Sequence, residues 1–594
     1  MKKALSLFLT ICLCALAVIP CFAADSTFTV TSSYAVYYTS SDLKPAAEKF
    51  ADYIQKIIGS RPTVLGERPR GNYIGVSIDK AKIDNGYITQ AQDENVQITG
   101  SSLQWAVRGL YNFLEKYGGI SVYTSKLTVF KNKTIQVPVS LDTTYVPFFE
   151  YTDTDWLSPT DTEYSLFNGL NSAEYRTIPA EMGGSVDYIS SFCHTLSSQF
   201  CSKDKYYAEH PEYFASFHGI NNGTQLCLSN PEVLEIVTQE VLDLLKVKHD
   251  PNAELQIVSL TQNDNIAYCT CDKCRETDHK YGSHAGTMLE FVNAVARTVK
   301  SEGYDNVAID TFAYRYTRKP PKGIVPEDNV IVRLCSIECC FSHAFDDKSC
   351  QTNVEFMEDL HGWSEICNRI YIWDYCTNYC NFVGLFPDFG VLQRNMQIFH
   401  ENHVKGVYEE GNYTMKAEAE FGELRSYLIS KLFQDPYCDF NAVRDDFIKA
   451  YYGKDAAPYI SQFLDLITEN ASKNHLGIYE SMVSTLSLFP SQIKKCDAMW
   501  ENAKAKATEE ELAHVKASEI SWRWWKMKNH ASEFASPFTY EERSEQLKKD
   551  IADNGVDRLM EVEETRSFFS SVFQFLYFKA YFLVNLVLKI LYAA

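Results

Sequence analysis

The chain has 594 residues, which suits two to four domains of roughly 100 to 200 residues each and is too long for a single core. Its formal net charge of -21 has the wrong sign for a phosphate backbone and argues against nucleic acid as a partner. Aromatic residues make up 14 %, with 37 Tyr and 36 Phe, and their flat faces suit both a large core and stacking on sugar rings.

In chain order, Lys2 and Lys3 precede an apolar run from Ala4 to Ile19, and Cys21-Phe22-Ala23-Ala24 supplies small residues for cleavage. Residues 1–24 therefore read as a secretory signal cut near Ala23 or Ala24, with an extracytoplasmic protein, secreted or held at the cell surface, as the expectation. A lipoprotein anchor at Cys21 is the other reading, which Pro20 fits poorly. Cys12, Cys14 and Cys21 leave with the signal, so an odd 15 of the 18 cysteines remain. An exported chain can form disulfides, and this one then keeps at least one unpaired thiol.

From 25 to 146, short β-rich runs (Thr27 to Thr31, Tyr73 to Ile78, Val96 to Thr99, Thr134 to Pro138) alternate with two helical periodicities. The first helix, Leu43 to Ile58, follows Ser40-Ser41-Asp42; the second, Ser102 to Tyr117, stops at Gly118-Gly119. This is the pattern of a small α/β domain.

From 147 to 436 the clearest strands are Leu255 to Leu260, Val307 to Phe312, Val330 to Ile337, Ile370 to Trp373 and Lys405 to Tyr408. Between them, Asn230-Pro231 opens a helix to Lys246, and further helices run from Thr287 to Lys300 and from Phe389 to His403. Strand-then-helix order predicts a parallel sheet, and the length suits a TIM-like (β/α)8 barrel of roughly 250 residues. An open doubly wound sheet is the alternative, but no Gly-rich phosphate loop follows any strand.

From 437 to 566 the period is helical: Asn441 to Tyr452, Ala457 to Asn470, Pro490 to Ala505, Glu509 to Lys528 and Tyr540 to Asp553. From 567 to 594 the chain is apolar over more than the roughly 20 residues a bilayer span needs, interrupted by Lys579 and Lys589. Ser567, Ser571, Gln574, Asn585 and Lys589 share one helical stripe. The segment reads either as a membrane-associated helix, interfacial or spanning, or as a final helix packed on the protein.

In a parallel barrel, substrate meets the residues just past the carboxyl end of each strand. That rule selects Asn263, Asp264 and Asn265; Tyr314 and Arg315; Trp373, Asp374 and Tyr375; and Glu409 and Glu410, with His194 after an earlier apolar stretch. Asp264, Asp374 and Glu409 are the catalytic candidates. Hydrolysis of a glycosidic bond needs one protonated acid at the leaving oxygen and a second carboxylate that attacks the sugar or activates water. His194, Asn263, Asn265, Tyr314, Arg315, Trp373, Tyr375 and Glu410 are the candidate substrate contacts. Adjacent residues of a strand point to opposite faces, so only one of Glu409 and Glu410 faces the centre. Each strand-end acid also has a bland reading, as a loop or helix cap.

Cys269, Cys271 and Cys274, spaced C-x-C-x-x-C, suit a metal, but a closed zinc site needs four ligands. Asp272, His279 and His284 are the nearby candidates for the fourth. A disulfide, internal or to a distant cysteine such as Cys227, and reduced structural thiols are the competing readings. No H-E-x-x-H, G-x-S-x-G or P-loop occurs, and no cofactor is expected.

The segments "CHTL", "HPEYFASFHG", "QLCLSNPEV", "SLTQNDNIAYCTCDKC", "PPKGIVPEDNVIVRLC", "IYIWDY" and "GVYEEGNY", the last followed by "AEFGELRSYLISKLFQDP", occur in this order. Together they resemble the bacterial family described as domain of unknown function 4838, itself similar to glycoside hydrolases of the α-glucuronidase and β-hexosaminidase type. The resemblance covers roughly Pro147 to Pro436, and "ITGSSLQWAVRGLYNFLEKYGGI" is similar to the small domain that precedes the barrel in those enzymes. It implies a (β/α)8 barrel acting on a complex carbohydrate, without handing over a catalytic pair. Where the hexosaminidase pattern has adjacent Asp-Glu, Asn263-Asp264-Asn265 stands here. The nearest equivalents to the strand-end acids of glucuronidase-like enzymes are Asp264, Asp374 and Glu409. The functional expectation is thus an exported glycoside hydrolase, against a non-catalytic carbohydrate-binding or surface-scaffold protein on a degenerate barrel.

Overall fold

The computed structural model describes residues 26–171, 178–412, 417, 420–479, 486–529 and 540–561. Residues 1–24, where a signal is expected, and the apolar segment 567–594 lie outside the described residues. Among the described residues no helix is long and apolar enough to cross a membrane. The chain divides into two compact units, Met1–Ile120 with Phe130–Val146, and Ser121–Val129 with Pro147–Ala594.

In the first unit the strands are β1 (Thr27–Val30), β2 (Ala35–Tyr38), β3 (Thr63–Leu65), β4 (Tyr73–Ile78), β5 (Tyr87–Gln92) and β6 (Asn95–Gly100). After the hairpin of β7 (Ile120–Thr124) and β8 (Leu127–Phe130) come β9 (Ile135–Pro138) and β10 (Asp142–Tyr145). Six of them form a mixed sheet in the order β10-β5-β6-β4-β2-β3, and β1 pairs with β9. The helix Lys44–Ile58 buries Phe50, Ile54 and Ile57 along one stripe and ends at Gly59, whose φ of 77° favours glycine. Ser102 caps the helix Leu103–Lys116 by accepting the Trp105 N–H. β2, β3, β5 and β10 escape the sequence reading, being short or carrying too many polar residues for a clean alternation.

Among its described residues the second unit contains seven parallel strands: β11 (Tyr151–Thr154), β12 (Asp187–Tyr188), β13 (Gln256–Ser259), β14 (Val307–Ala313), β15 (Val330–Cys335), β16 (Ile370–Tyr375) and β17 (Gly406–Glu410). Their order, β11-β17-β16-β15-β14-β13-β12, brings the first strand against the last, so the sheet curls as a barrel does. Of the expected eight-fold barrel, seven strands are present among the described residues. At the seam between β11 and β12 a single residue stands in for a ladder. Asn171 donates its N–H to Thr152 O at 3.3 Å, accepts the Thr152 N–H on Oδ1 at 2.9 Å, and accepts the Val186 N–H on its carbonyl at 2.8 Å. The β14 to β15 crossover also breaks the pattern, with a 3-10 turn, Arg315–Thr317, in place of an α-helix.

The barrel interior is aromatic and aliphatic: Tyr151, Ile257, Ala308, Ile331, Tyr371 and Tyr408 are all buried there. Gly406 belongs to this layer because a Cβ would come within 2.8 Å of both Tyr151 and Tyr371, whose rings stack at 5.2 Å. Nearer the carboxyl ends a buried ion pair, Arg333 with Asp310, crosses the interior. The guanidinium lies 4.3 Å from the Phe192 ring centroid, 4.8 Å from Phe312 and 5.1 Å from Trp373, so aromatic faces surround the N–H groups that lack hydrogen-bond acceptors. Arg333 also donates to Phe192 O at 2.8 Å. This pair underlies the aromatic floor of the site.

The helices Phe440–Tyr452, Ala457–Ala471, Pro490–Lys506, Glu509–Lys528 and Tyr540–Asp553 run close to where periodicity puts them. They group with the barrel in the second unit. Thr508 and Glu511 form a capping box at the start of one, and Phe463 packs against Trp500 and Trp522 at 4.9 and 5.5 Å.

Candidate active site at the barrel mouth

A cavity of about 240 Å³ opens at the carboxyl ends of the strands. That is below the roughly 300–1,000 Å³ of drug-sized ligand pockets and suits a group the size of one sugar ring. Phe192, Phe312, Trp373, Tyr375 and Tyr408 supply its aromatic walls, and Asp155, Asp264, Glu410 and Glu561 its carboxyl groups. Trp373 is central: its ring lies 5.3 Å from Phe192, 5.6 Å from Phe312 and 4.9 Å from Tyr408.

The two-residue alternation of each strand decides which side chains reach this space. On β16, Trp373 and Tyr375 face the cavity and Asp374 does not; on β17, Tyr408 and Glu410 face it and Glu409 does not. Glu410 is half-buried and accepts the Trp373 indole N–H on Oε2 at 2.6 Å. Asp374 and Glu409 are paired residues of neighbouring strands, 4 % and 2 % exposed, on the opposite face. There Ser336 donates to Asp374 at 2.5 Å. Burial raises both carboxyl pKa values, and the charges of Asp374 and Asp388 raise that of Glu409 further. Nearby, the buried Arg425 pairs with Asp388 at 3.0 Å and with Glu420 at 2.6 Å.

Asp155 is one of two cavity acids, with Glu561, that the sequence reading does not select. It stands one residue past β11, is buried, and lines the cavity. The Gly411 N–H donates to its Oδ1, and Gly411 is required there because a Cβ would come within 2.7 Å of the Trp156 ring. Burial pushes the Asp155 carboxyl up to about 7, with the Gly411 N–H pulling it down and Asp153 pushing it further up. A carboxyl group in that range holds its proton near neutrality and can give it up. The strand-end rule would have found it had β11 been recognised; Thr152 and Asp153 inside the strand hide its apolar signature.

Asp264 reaches the cavity from the loop after β13. The Tyr314 hydroxyl donates to its Oδ1 at 2.7 Å, and the Arg315 Nε donates to the same oxygen at 3.1 Å. Burial, then the Asp264 carboxylate, raises the Tyr314 phenol pKa. Tyr314 itself lines the cavity, whereas Arg315 stands beside it, on the exposed side. His194 lines the cavity with its Nδ1 2.6 Å from Gln262 O. A carbonyl only accepts, so Nδ1 carries the proton and Nε2 of the neutral ring is an acceptor. Asn263 and Asn265 do not line the cavity. Asn263 Nδ2 donates to Ser197 Oγ and Thr224 O, both at 2.7 Å, and Asn265 Oδ1 accepts the Ala267 N–H and Gln225 Nε2, so both amides shape the loop that carries Asp264. From the helical region, Tyr479 and Glu561 complete the rim, joined by a 3.3 Å hydrogen bond.

The cysteine triplet lies on the continuation of that loop, away from the cavity. Its fourth neighbour is Cys227, in place of Asp272, His279 or His284, and none of the four is in a disulfide. His284 is engaged with Asp278 at 2.6 Å instead.

The curled parallel sheet, with aromatic walls and acids at its carboxyl end, has the form of a TIM-like barrel. The chain belongs to the family described as domain of unknown function 4838 (DUF4838), whose profile matches residues 122–465. No curated protein matches the sequence. Among solved structures, a family GH115 4-O-methyl-α-glucuronidase with specificity for decorated arabinogalactans is similar at a TM-score of 0.55 and 10 % identity, covering 89 % of this chain and 76 % of that one. A family 89 glycoside hydrolase from Clostridium perfringens is similar at a TM-score of 0.46 and 10 % identity, covering 86 % of this chain and 66 % of that one. The first likeness establishes the fold.

Proposed function

We propose that this protein is a glycoside hydrolase acting on a complex glycan, with its acid/base chemistry on the inner face of the barrel. The observation that carries the reading is the pairing of a buried, protonatable Asp155 with an indole-bonded Glu410 in one aromatic-lined cavity. Asp155 acts as general acid toward the leaving oxygen. Glu410, held by Trp373, is the second carboxylate, which attacks the sugar carbon or activates water. Asp264, oriented by Tyr314 and Arg315, with His194 Nε2, contacts sugar hydroxyls. Asp374 and Glu409, the acids favoured by strand-end position alone, support the wall from behind.

The solved glucuronidase with the same fold supports the substrate class, a decorated polysaccharide. The test is release of reducing sugar from a panel of plant and host glycans by the purified chain, repeated with Glu410→Gln and Asp155→Asn. Hydrolysis that survives both substitutions overturns the assignment. The competing reading, a carbohydrate-binding protein, draws on Asp264 being already engaged by two donors; glycan binding without any released sugar selects it.

A further inference from the structure

Among the described residues, two groups of metal-ligating side chains stand outside the cavity, and the proposed hydrolysis uses neither. In the first, one sulfur each from Cys227, Cys269, Cys271 and Cys274 lies within 4.8 Å of all the others. Cys227 Sγ is 3.8 Å from Cys271 Sγ and 3.9 Å from Cys274 Sγ. A disulfide would need about 2.05 Å. Zinc in a tetrahedron of thiolates, with metal–sulfur bonds of about 2.3 Å, has sulfur–sulfur edges of about 3.8 Å. Polar hydrogens also face the sulfurs: the Cys274 N–H donates to Cys271 Sγ at 3.5 Å, and Ser229 Oγ lies 3.5 Å from Cys227 Sγ. Donors of this kind offset the negative charge of a tetrathiolate.

In the second group, Cys340, His343, Cys350 and His475 likewise present ligand atoms within 4.8 Å of one another. Cys340 Sγ is 3.2 Å from His343 Nδ1, and Cys350 Sγ is 3.6 Å from His475 Nδ1. A tetrahedral sulfur–nitrogen edge around zinc is about 3.6 Å. The tautomer of His343 fits as well. Its Nε2 lies 3.0 Å from Ser472 O, which can only accept, so the proton sits on Nε2 and the lone pair of Nδ1 faces the cysteines. The Leu476 N–H donates to Cys340 Sγ at 3.4 Å.

We infer that this chain binds two structural zinc ions, one in the four-cysteine site of Cys227, Cys269, Cys271 and Cys274, the other in the two-cysteine, two-histidine site of Cys340, His343, Cys350 and His475. Each thiol releases its proton to solvent as the ion binds. Neither set leaves a protein-free coordination position, so the ions staple loops and do no chemistry. The first clamps the loop after β13 to the segment before the helix Pro231–Lys248. Gln225, two residues from Cys227, continues that clamp by donating to Asn263 O at 2.8 Å, next to Asp264. The second ties the loop after β15, together with the start of the helix Gln351–Ile366, to the end of the helix Ala457–Ala471, which fastens the helical region to the barrel.

Elemental analysis of the full chain, produced with zinc in the medium and purified without chelator, is expected to give two zinc ions per chain. Cys227→Ser with Cys274→Ser leaves one, and so does His475→Ala, an exposed position whose truncation leaves the core intact. Should the cysteine variants fail to fold, the wild-type chain dialysed against chelator and reloaded with cobalt gives the second reading: tetrahedral thiolate-to-cobalt bands are expected, and the six ligand cysteines become reactive to a thiol reagent only after the metal is stripped. Iron in place of zinc, an octahedral cobalt spectrum, fewer than one metal ion per chain, or disulfide-linked peptides among these cysteines would overturn the inference.

Discussion

Glu409 and Glu410 are neighbours in sequence and belong to two different environments of one sheet. On the outer face, Asp374 and Glu409 are sealed behind the strands among Ser336, Asp388, Glu420 and Arg425. On the inner face, Asp155 and Glu410 open onto an aromatic cavity. Burial raises carboxyl pKa values on both faces, so a perturbed acid is not by itself a catalytic one. Access to substrate separates them, and access follows the strand alternation.

The largest test of that contrast is Glu410→Gln against Glu409→Gln. The first is expected to lower turnover by about 10²–10⁴-fold in a reducing-sugar assay, and the second to leave it unchanged. If Glu409→Gln is the inactive variant, the inner-face assignment is wrong. The outer nest is expected to answer in stability instead. Arg425→Met leaves Asp388 and Glu420 without their buried cation and should cost about 3–5 kcal/mol in denaturant unfolding, with turnover per folded molecule retained.

The pH dependence sharpens the comparison further. Asp155 is pushed up to about 7 and Glu420 to about 8, both above the ordinary carboxyl range near 4. An acid raised in the folded state is protonated there while the unfolded chain is ionised. Its stabilising share is complete below about pH 4 and disappears as pH rises through the folded value. Stability should therefore fall from about pH 4 to about pH 8, and Asp155→Asn should make that fall shallower below about pH 7. Hydrolysis should show an alkaline limb near pH 7, losing about tenfold per unit above it, because only protonated Asp155 can donate. A rate that is flat across that range contradicts the role. The smallest expected effect is at the rim: Arg315→Gln breaks a half-exposed pair with Asp264, costing about 0–1 kcal/mol in stability and raising KM without lowering kcat.

Much of the candidate site is legible in the sequence, because the end of an apolar strand is a strong local signal. Asp264, Tyr314, Trp373, Tyr375 and Glu410 were all selected by that rule, and the structure gathers them in one cavity. The same rule also selected Asp374 and Glu409, since it finds the height of a residue along the barrel and not the face it points to. Asp155 was passed over because β11, with the sequence Tyr-Thr-Asp-Thr, lacks the apolar run of its neighbours. Tyr479 and Glu561 had no local signal at all; they reach the rim only because the helical region folds back over it.

The sequence by itself determined the alternating strands and helices of the second unit, the helical period of 437–566 and the acid- and aromatic-rich strand ends, since these follow from local periodicity and composition. Tertiary structure alone decided three things: that the curled sheet has seven described strands with Asn171 bridging its seam, that Glu410 and not Glu409 faces the cavity, and that Cys227 completes the cysteine triplet. Each depends on side chains distant in the chain meeting in space, and on a one-residue choice of face that sequence pattern leaves open.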